Sequence, residues 1–206
     1  MEDYLRMLQV LVDHAPDVLF PSPAFAIAFR AAMAGLTLIQ TDIVFTALDF
    51  VRDVLTHDCL NPQPNPPPKF PVYAAAIRPV VEAEGLELVG CLLTGLTGDF
   101  PEESASSVVT IIRIISMLWS AQLVSWLPLV LQQLPSATTP DQAKTTFLND
   151  ATQWVTVVVF GAGSSLIYRD RAISRKEFDK VKYALLALHR ASRKARDRRR
   201  MALLDK

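Results

Sequence analysis

Apolar residues recur three and four positions apart along most of this sequence, which is the spacing of one face of an α-helix. In residues 42–57 this spacing produces a stripe that we expect to be buried, made of Ile43, Val44, Ala47, Leu48, Val51 and Leu55. Residues 2–14, 23–38 and 141–160 carry stripes of the same kind. No hairpin signature occurs, and no strand pattern alternates with the helices. The sequence therefore predicts an all-α fold of about eight or nine helices, most of them 10–18 residues long.

Prolines and glycines mark the expected helix ends. The segment NPQPNPPPKFP (61–71) holds six of the chain's 14 prolines, so we expect an extended, polyproline-like loop there. Gly85 is expected to separate a helix over 72–84 from a helix over 86–97. Pro79 is expected at most to kink the first of these two helices.

The C-terminal part of the chain has its own pattern. The β-prone run Val157–Phe160 leaves a short strand possible, and GAGSS at 161–165 is expected to form a loop. Ser174 is expected to cap a final helix. We therefore divide the chain into a helical array over 1–160, which includes the proline-rich loop, and a loop plus basic helix over 161–206 that closes the array.

Consecutive helices are expected to pack as antiparallel pairs stacked along the chain. The clearest pairs are 23–38 with 42–57 and 72–84 with 86–97. Each pair needs a neighbour to cover its apolar face, which is the logic of an α-solenoid. The repeats show no fixed sequence period, so a compact helical bundle is the alternative architecture.

Charge is balanced over the whole chain but segregated along it. Lys and Arg total 21, and Asp and Glu total 21. Residues 161–206 hold 14 basic and 5 acidic residues, whereas residues 1–160 hold 7 basic and 16 acidic residues. An acidic body repels phosphate, so we expect no nucleic-acid binding by the whole domain and no direct DNA binding.

No constellation of residues suggests catalysis, a metal site or a cofactor. The three histidines, His14, His57 and His189, lie far apart in the sequence. The GAG stretch at 161–163 lacks the continuation of a phosphate loop, and Ser164 and Ser165 lack the context of a nucleophile elbow. Cys59 and Cys91 are too few for a disulfide framework and fit a reducing compartment. We therefore expect a protein that is not an enzyme and needs no cofactor.

The most apolar stretch, residues 104–134, is interrupted by Arg113 and Pro128. A membrane-spanning helix needs about 20 consecutive apolar residues. Two packed helices are the better interpretation. The three tryptophans, Trp119, Trp126 and Trp154, are expected to lie between helices, with ligand stacking as the alternative.

Two charged features are candidate binding sites. Asp42, Asp49 and Asp53 share one face of the helix over 42–57, and this acidic stripe would suit a basic partner. The alternative is an ordinary solvated helix face. The second feature is a basic tail that would bind an acidic protein or RNA, made of Arg193, Arg196, Arg198, Arg199 and Arg200 together with Arg190 and Lys194. Its alternative is a basic last turn that complements the helix dipole and then frays.

Several segments, in their order along the chain, resemble the C-terminal part of the transportin-SR and importin-thirteen branch of the importin-β superfamily. The opening matches a helix that ends at Ala15-Pro16, then a helix over 32–38, then FVRDVL at 50–55. LVSWLPLVLQQLPS at 123–136 resembles a family motif with Trp, Leu and a closing Leu-Pro. DKVKYALLALHRASR at 179–193 resembles the family's closing helix. The proline-rich loop, the segment over 156–174 and the basic extension after Arg193 depart from the family pattern.

The resemblance implies a HEAT-repeat nuclear import receptor that shuttles between nucleus and cytoplasm, binds SR-type RNA-binding protein cargo and releases it to Ran-GTP. The chain would correspond to the last few repeats. The family's main Ran-binding repeats and its arginine-rich cargo helix would lie upstream of Met1, so neither can be assigned to residues here. The alternative function is an all-α adaptor whose basic tail binds RNA or an acidic protein.

Overall fold

A computed structural model of the protein describes residues 1–61, 63–160 and 171–204, and it describes side chains in these ranges except at 154–160 and 171–178. The described ranges contain nine α-helices and no β-strand, so the predicted all-α fold is confirmed. The helices are α1 (Glu2–His14), α2 (Pro16–Leu19), α3 (Ala24–Leu36), α4 (Thr41–Thr56), α5 (Phe70–Thr97), α6 (Ala105–Leu118), α7 (Ser120–Gln133), α8 (Asp141–Phe160) and α9 (Arg171–Leu204). Single 3-10 turns lie at Asp58–Leu60 and Glu102–Ser104.

The longer helices pack in two rows. In one row α1 packs against α4, α4 against α6, and α6 against α9. In the other row α3 packs against α5, α5 against α7, and α7 against α8. The rows are joined by contacts of α3 with α4, α5 with α6, and α8 with α9. The predicted pairing of 23–38 with 42–57 is thus confirmed, whereas a solenoid of HEAT-like repeats stays a prediction.

The predicted break at Gly85 is wrong, because α5 runs without interruption through this residue. Glycine inside a helix costs only about 1 kcal/mol, which tertiary packing readily offsets. Here the packing is specific: a Cβ atom on Gly85 would lie 2.1 Å from Cη2 of Trp126 in α7. Gly85 therefore allows the two helices to approach closely, and the expected hairpin of 72–84 with 86–97 is a single helix. Pro79 also lies inside α5 without ending it.

The other predicted boundaries had different outcomes. Residues 61 and 63–69 form neither helix nor strand, and α5 begins at Phe70 with proline in its first turn. The backbone of Val157–Phe160 is helical, so the possible strand there is wrong. α9 begins at Arg171, ahead of the expected cap at Ser174. The expected loop at 161–165 lies outside the described residues.

The core is continuous and rich in aromatic residues around the start of α5. Phe20, which is 1% exposed, contacts Phe25, His57 and Tyr73 with edge-on or tilted rings, at centroid distances of 5.3, 5.1 and 5.6 Å. Burial lowers the pKa of His57, which favours the neutral ring in this apolar setting. Trp119 and Trp126 are buried between helices, as expected, and the side chain of Trp154 lies outside the described residues.

The contact between Gly85 and Trp126 predicts opposite effects of the same substitution at two glycines of α5. Gly85→Ala forces a methyl group into the indole ring and should lower the free energy of unfolding by about 1–3 kcal/mol. Gly90→Ala should raise it by up to about 1 kcal/mol through better helix propensity. The closest atom to an added Cβ on Gly90, Cγ2 of Val130, is 3.9 Å away. Urea denaturation followed by circular dichroism measures both; equal effects would contradict the close-approach role of Gly85.

Candidate protein-binding surfaces

The acidic stripe of α4 contains its own counter-charge. Nη1 of Arg52 lies 2.6 Å from Oδ1 of Asp49, and Nη2 of Arg52 lies 3.1 Å from Oδ1 of Asp53. Asp42 lies in the first turn of the same helix and is exposed. The three predicted carboxylates therefore lie on one helix. Two of them, Asp49 and Asp53, share an ion pair with Arg52, which the predicted acidic stripe did not include.

The electrostatic setting of this stripe extends to α1. Burial raises the pKa of Asp53, and the charges of Asp13 and Asp49 raise it further, while Arg52 lowers it. The causes that raise the pKa prevail, so the Asp53 carboxylate is held in a setting that disfavours its charge. A basic group from a partner that approached Asp53 would relieve this unfavourable setting.

The basic tail divides into an anchored part and an exposed part. Nη1 of Arg193 lies 2.7 Å from Oε2 of Glu102, and Nη1 of Arg196 donates to the backbone oxygen of Gly98. Beyond Arg196 every described residue of α9 is exposed, including Arg198, Arg199 and Arg200. The expectation of a fraying last turn does not describe the whole tail, since α9 continues to Leu204.

The anchor sits at the C-terminal end of α5. Nδ1 of His189 is 2.6 Å from the backbone oxygen of Leu96, two residues before Gly98, whose carbonyl accepts from Arg196. The last carbonyls of a helix lack intrahelical donors and carry partial negative charge, so basic side chains satisfy and stabilise them. Because these contacts span more than 90 positions of the sequence, local patterns in the chain do not reveal them.

A groove of about 650 Å³ crosses the row formed by α3, α5 and α7. Leu38 and Ile39, in the turn after α3, lie along one side, and Ile39 is 92% exposed. Leu86 of α5 contributes further exposed apolar surface, and Glu87 and Asp99 add carboxylates. The groove can thus accept an apolar side chain that is flanked by basic groups. Two consecutive exposed apolar residues at a helix turn were its only local signal, and sequence reasoning missed it.

Cys91 lines the same groove and is partly buried. Burial raises the pKa of its thiol, and burial raises the pKa of Cys59 to about 11. Both thiols are free and are largely protonated at neutral pH, which makes them poor nucleophiles.

Within the described ranges, no three His, Cys, Asp or Glu side chains come close enough together to hold a metal ion. In the same part of the chain, no helix combines the length and apolar character needed to cross a membrane. Neither a protein-family model nor a curated protein matches this chain. The kinship with import receptors stays a prediction that rests on the segments quoted above.

The buried setting of Asp53 predicts a pH-dependent effect of Asp53→Asn. A carboxyl whose pKa is raised in the folded state costs stability once the pH exceeds its unfolded pKa of about 4. The asparagine variant should therefore match or exceed the wild-type protein in unfolding free energy at neutral pH, by up to about 1 kcal/mol. This advantage should shrink as the pH falls toward about 4, because the folded wild-type carboxyl, whose pKa is raised, already binds its proton above that pH.

Urea titrations at several pH values measure the difference. Asp150→Asn is the control, because Asp150 is exposed in the middle of α8 and its substitution should change stability by less than about 0.5 kcal/mol at every pH. A loss of stability in the Asp53 variant that grows toward neutral pH would show that the Arg52 contact outweighs burial.

Proposed function

We propose that this chain is a non-catalytic, protein-binding segment of a nuclear import receptor of the importin-β superfamily. In this role it shuttles between nucleus and cytoplasm, binds SR-type RNA-binding protein cargo and responds to Ran-GTP. The supporting sequence observation is the resemblance in segment order. The supporting structural observation is the packing of successive helices in two rows, because stacked helices offer long surfaces of the kind that bind proteins.

The residues that pack in the structure agree with the motifs that carry the resemblance. Trp126, Leu127 and Leu134 of the tryptophan motif are all buried. Asp53, within the FVRDVL segment, is partly exposed and lies on the acidic face of α4. The motifs thus serve packing, and the charged positions beside them are available for partners.

Charge gives the proposed binding its chemistry. Residues 1–160 carry nine more acidic than basic residues, so the body of the molecule attracts basic segments of cargo or basic patches on Ran. Asp49 and Asp53 on α4 are the first contact candidates, and Glu87 and Asp99 at the groove are the second. Ran-GTP would release cargo by competing for these surfaces or by changing their arrangement.

Charge reversal tests the α4 contact. Asp49→Lys combined with Asp53→Lys should weaken binding of a basic SR-type domain by about tenfold or more, because two attractive contacts become repulsive. The slope of affinity against salt concentration should fall as well. Fluorescence anisotropy at several salt concentrations, with and without Ran loaded with a GTP analogue, measures both quantities.

Glu82→Lys combined with Glu103→Lys is the matched control, since both glutamates are exposed and lie outside α4. It changes the net charge by the same amount and should leave most of the affinity intact. If the α4 variant and the control weaken binding equally, only the net charge matters. If neither changes affinity or its salt slope, the α4 contact is wrong.

A second candidate function is RNA binding by the end of α9. The observation in its favour is that Arg198, Arg199 and Arg200 are exposed, whereas Arg193 and Arg196 contact other parts of the protein. Point substitutions test this function better than deletion of residues 190–206. Deletion would also remove Ser192, which is fully buried, and the two anchoring arginines.

Replacement of Arg198, Arg199 and Arg200 by alanine should abolish most RNA binding if the adaptor function holds. The slope of log affinity against log salt for single-stranded RNA should fall by about 2, the value expected for three lost phosphate contacts. Filter binding with a mixed-sequence RNA measures it. Cargo binding that survives in this variant, with no RNA binding in the wild type, would favour the import function.

A further inference from the structure

The first helix of one row exposes an apolar stripe. α1 buries Leu5, Leu8 and Val12, and α4 is its main neighbour. Away from these residues lie Met7 and Val10, which are 51% and 56% exposed. Tyr4 is 38% exposed and extends the stripe at helical spacing. α1 begins its row, so this side of the helix has no helix of the same row beyond it within the described chain.

The last helix of the same row borders an open groove. A space of about 430 Å³ lies between α8 and α9. Small side chains of α9, including Ala187 and Ala191, form part of its lining, and Phe147 of α8 forms another part. Alanines leave room for the larger side chains of an incoming helix. The groove therefore has the shape and apolar character that a stripe of Tyr, Met and Val side chains would fill.

The two ends carry opposite charge. α1 contains the carboxylates Glu2, Asp3 and Asp13 and a single arginine, Arg6, which is already paired with Glu2 at 2.5 Å. The α8–α9 groove is lined by the exposed Lys194 and Arg198 of α9, with Asp150 as its acidic member. Over residues 190–200 the chain has seven basic residues and one acidic residue. An acidic helix with an apolar stripe is thus complementary to this groove in charge as well as in shape.

We propose that α1 of a second copy of this chain docks in the groove between α8 and α9. The incoming α1 would follow α9 and continue the row α1–α4–α6–α9 by the same kind of helix packing that already joins its members. The two contacting surfaces differ, so the association is head-to-tail and each copy keeps one free end. This inference concerns self-association and does not depend on the proposed import function.

The full chain itself tests the proposal. Its weight-average mass should rise above the 22.8 kDa of one chain as its concentration increases from micromolar to millimolar. Because charged groups contribute, the association should weaken in high salt. Sedimentation equilibrium or light scattering measures both effects. A mass that stays at one chain throughout would overturn the proposal and would mean that another protein, or another part of a longer chain, covers α1.

Variants at each end should break the association separately. Met7→Lys on α1 and Lys194→Glu with Arg198→Glu on α9 should each weaken it by about tenfold or more. Leu129→Lys, at a half-exposed leucine of α7, is the control for the first change. Arg199→Glu with Arg200→Glu is the control for the second, because these exposed residues do not line the groove. Association that withstands both end variants, or that the controls weaken equally, would overturn the proposal.

Mixing the two end variants tests whether the association is head-to-tail. The Met7 variant keeps an intact groove and the Lys194/Arg198 variant keeps an intact α1, so the two together should form a dimer of one copy of each. A mixture that stays monomeric while the wild type associates would indicate a symmetric contact and would contradict head-to-tail docking.

Circular dichroism of each variant, compared with the wild type, shows whether a loss of association comes from unfolding. A folded second variant, Val10→Lys, then takes the place of any α1 variant that unfolds.

Discussion

The contact of Trp126 with the bare backbone of α5 at Gly85 sets the distance between the helices of one row. α5 packs against helices of both rows, so its spacing from α7 bears on the positions of the rest. A side chain at residue 85 would push the indole away and open the interface over neighbouring turns, because protein interiors have little free volume to absorb such a shift. The length of α5 extends this effect. Its first turns reach the aromatic cluster around Phe20, and its last carbonyls reach α9.

Helical periodicity was enough to predict the all-α fold and most of the helix positions, because burial on one face leaves a direct trace in the sequence. The prediction failed at Gly85. Glycine lowers helix stability by about 1 kcal/mol, which suggested a helix end, but here the absence of a side chain lets Trp126 pack against the backbone of α5. It failed again at Val157–Phe160, where β propensity is weaker than the helical context. Helix boundaries and strand formation therefore depend on tertiary contacts, and a short stretch of sequence does not reveal those contacts.

The candidate surfaces were predictable to different degrees. The shared face of Asp42, Asp49 and Asp53 follows from helix geometry alone, whereas the link through Arg52 depends on side-chain conformation. The separation of the basic tail into anchored and exposed arginines depends on contacts with Glu102 and Gly98, which are distant in sequence. One groove is formed by α3, α5 and α7, and the other by α8 and α9. The residues that line such surfaces have no common spacing along the chain, so the sequence does not predict them. Charge segregation was visible at once, but only the fold shows that it separates the ends of a row.

The two bonds that join α9 to the end of α5 also fix the register of α9 along its own axis. His189 and Arg196 are seven residues apart, which is about two helical turns, and each side chain reaches a particular carbonyl, those of Leu96 and Gly98. Neighbouring residues of an α-helix differ by about 100° around its axis. A change of register by one residue would therefore turn both side chains away from the end of α5 and remove both donors. The two contacts therefore allow a single register of α9 against the end of α5. Every charged group farther along it, from Arg198 to Arg200, is held at a set height above the body of the protein.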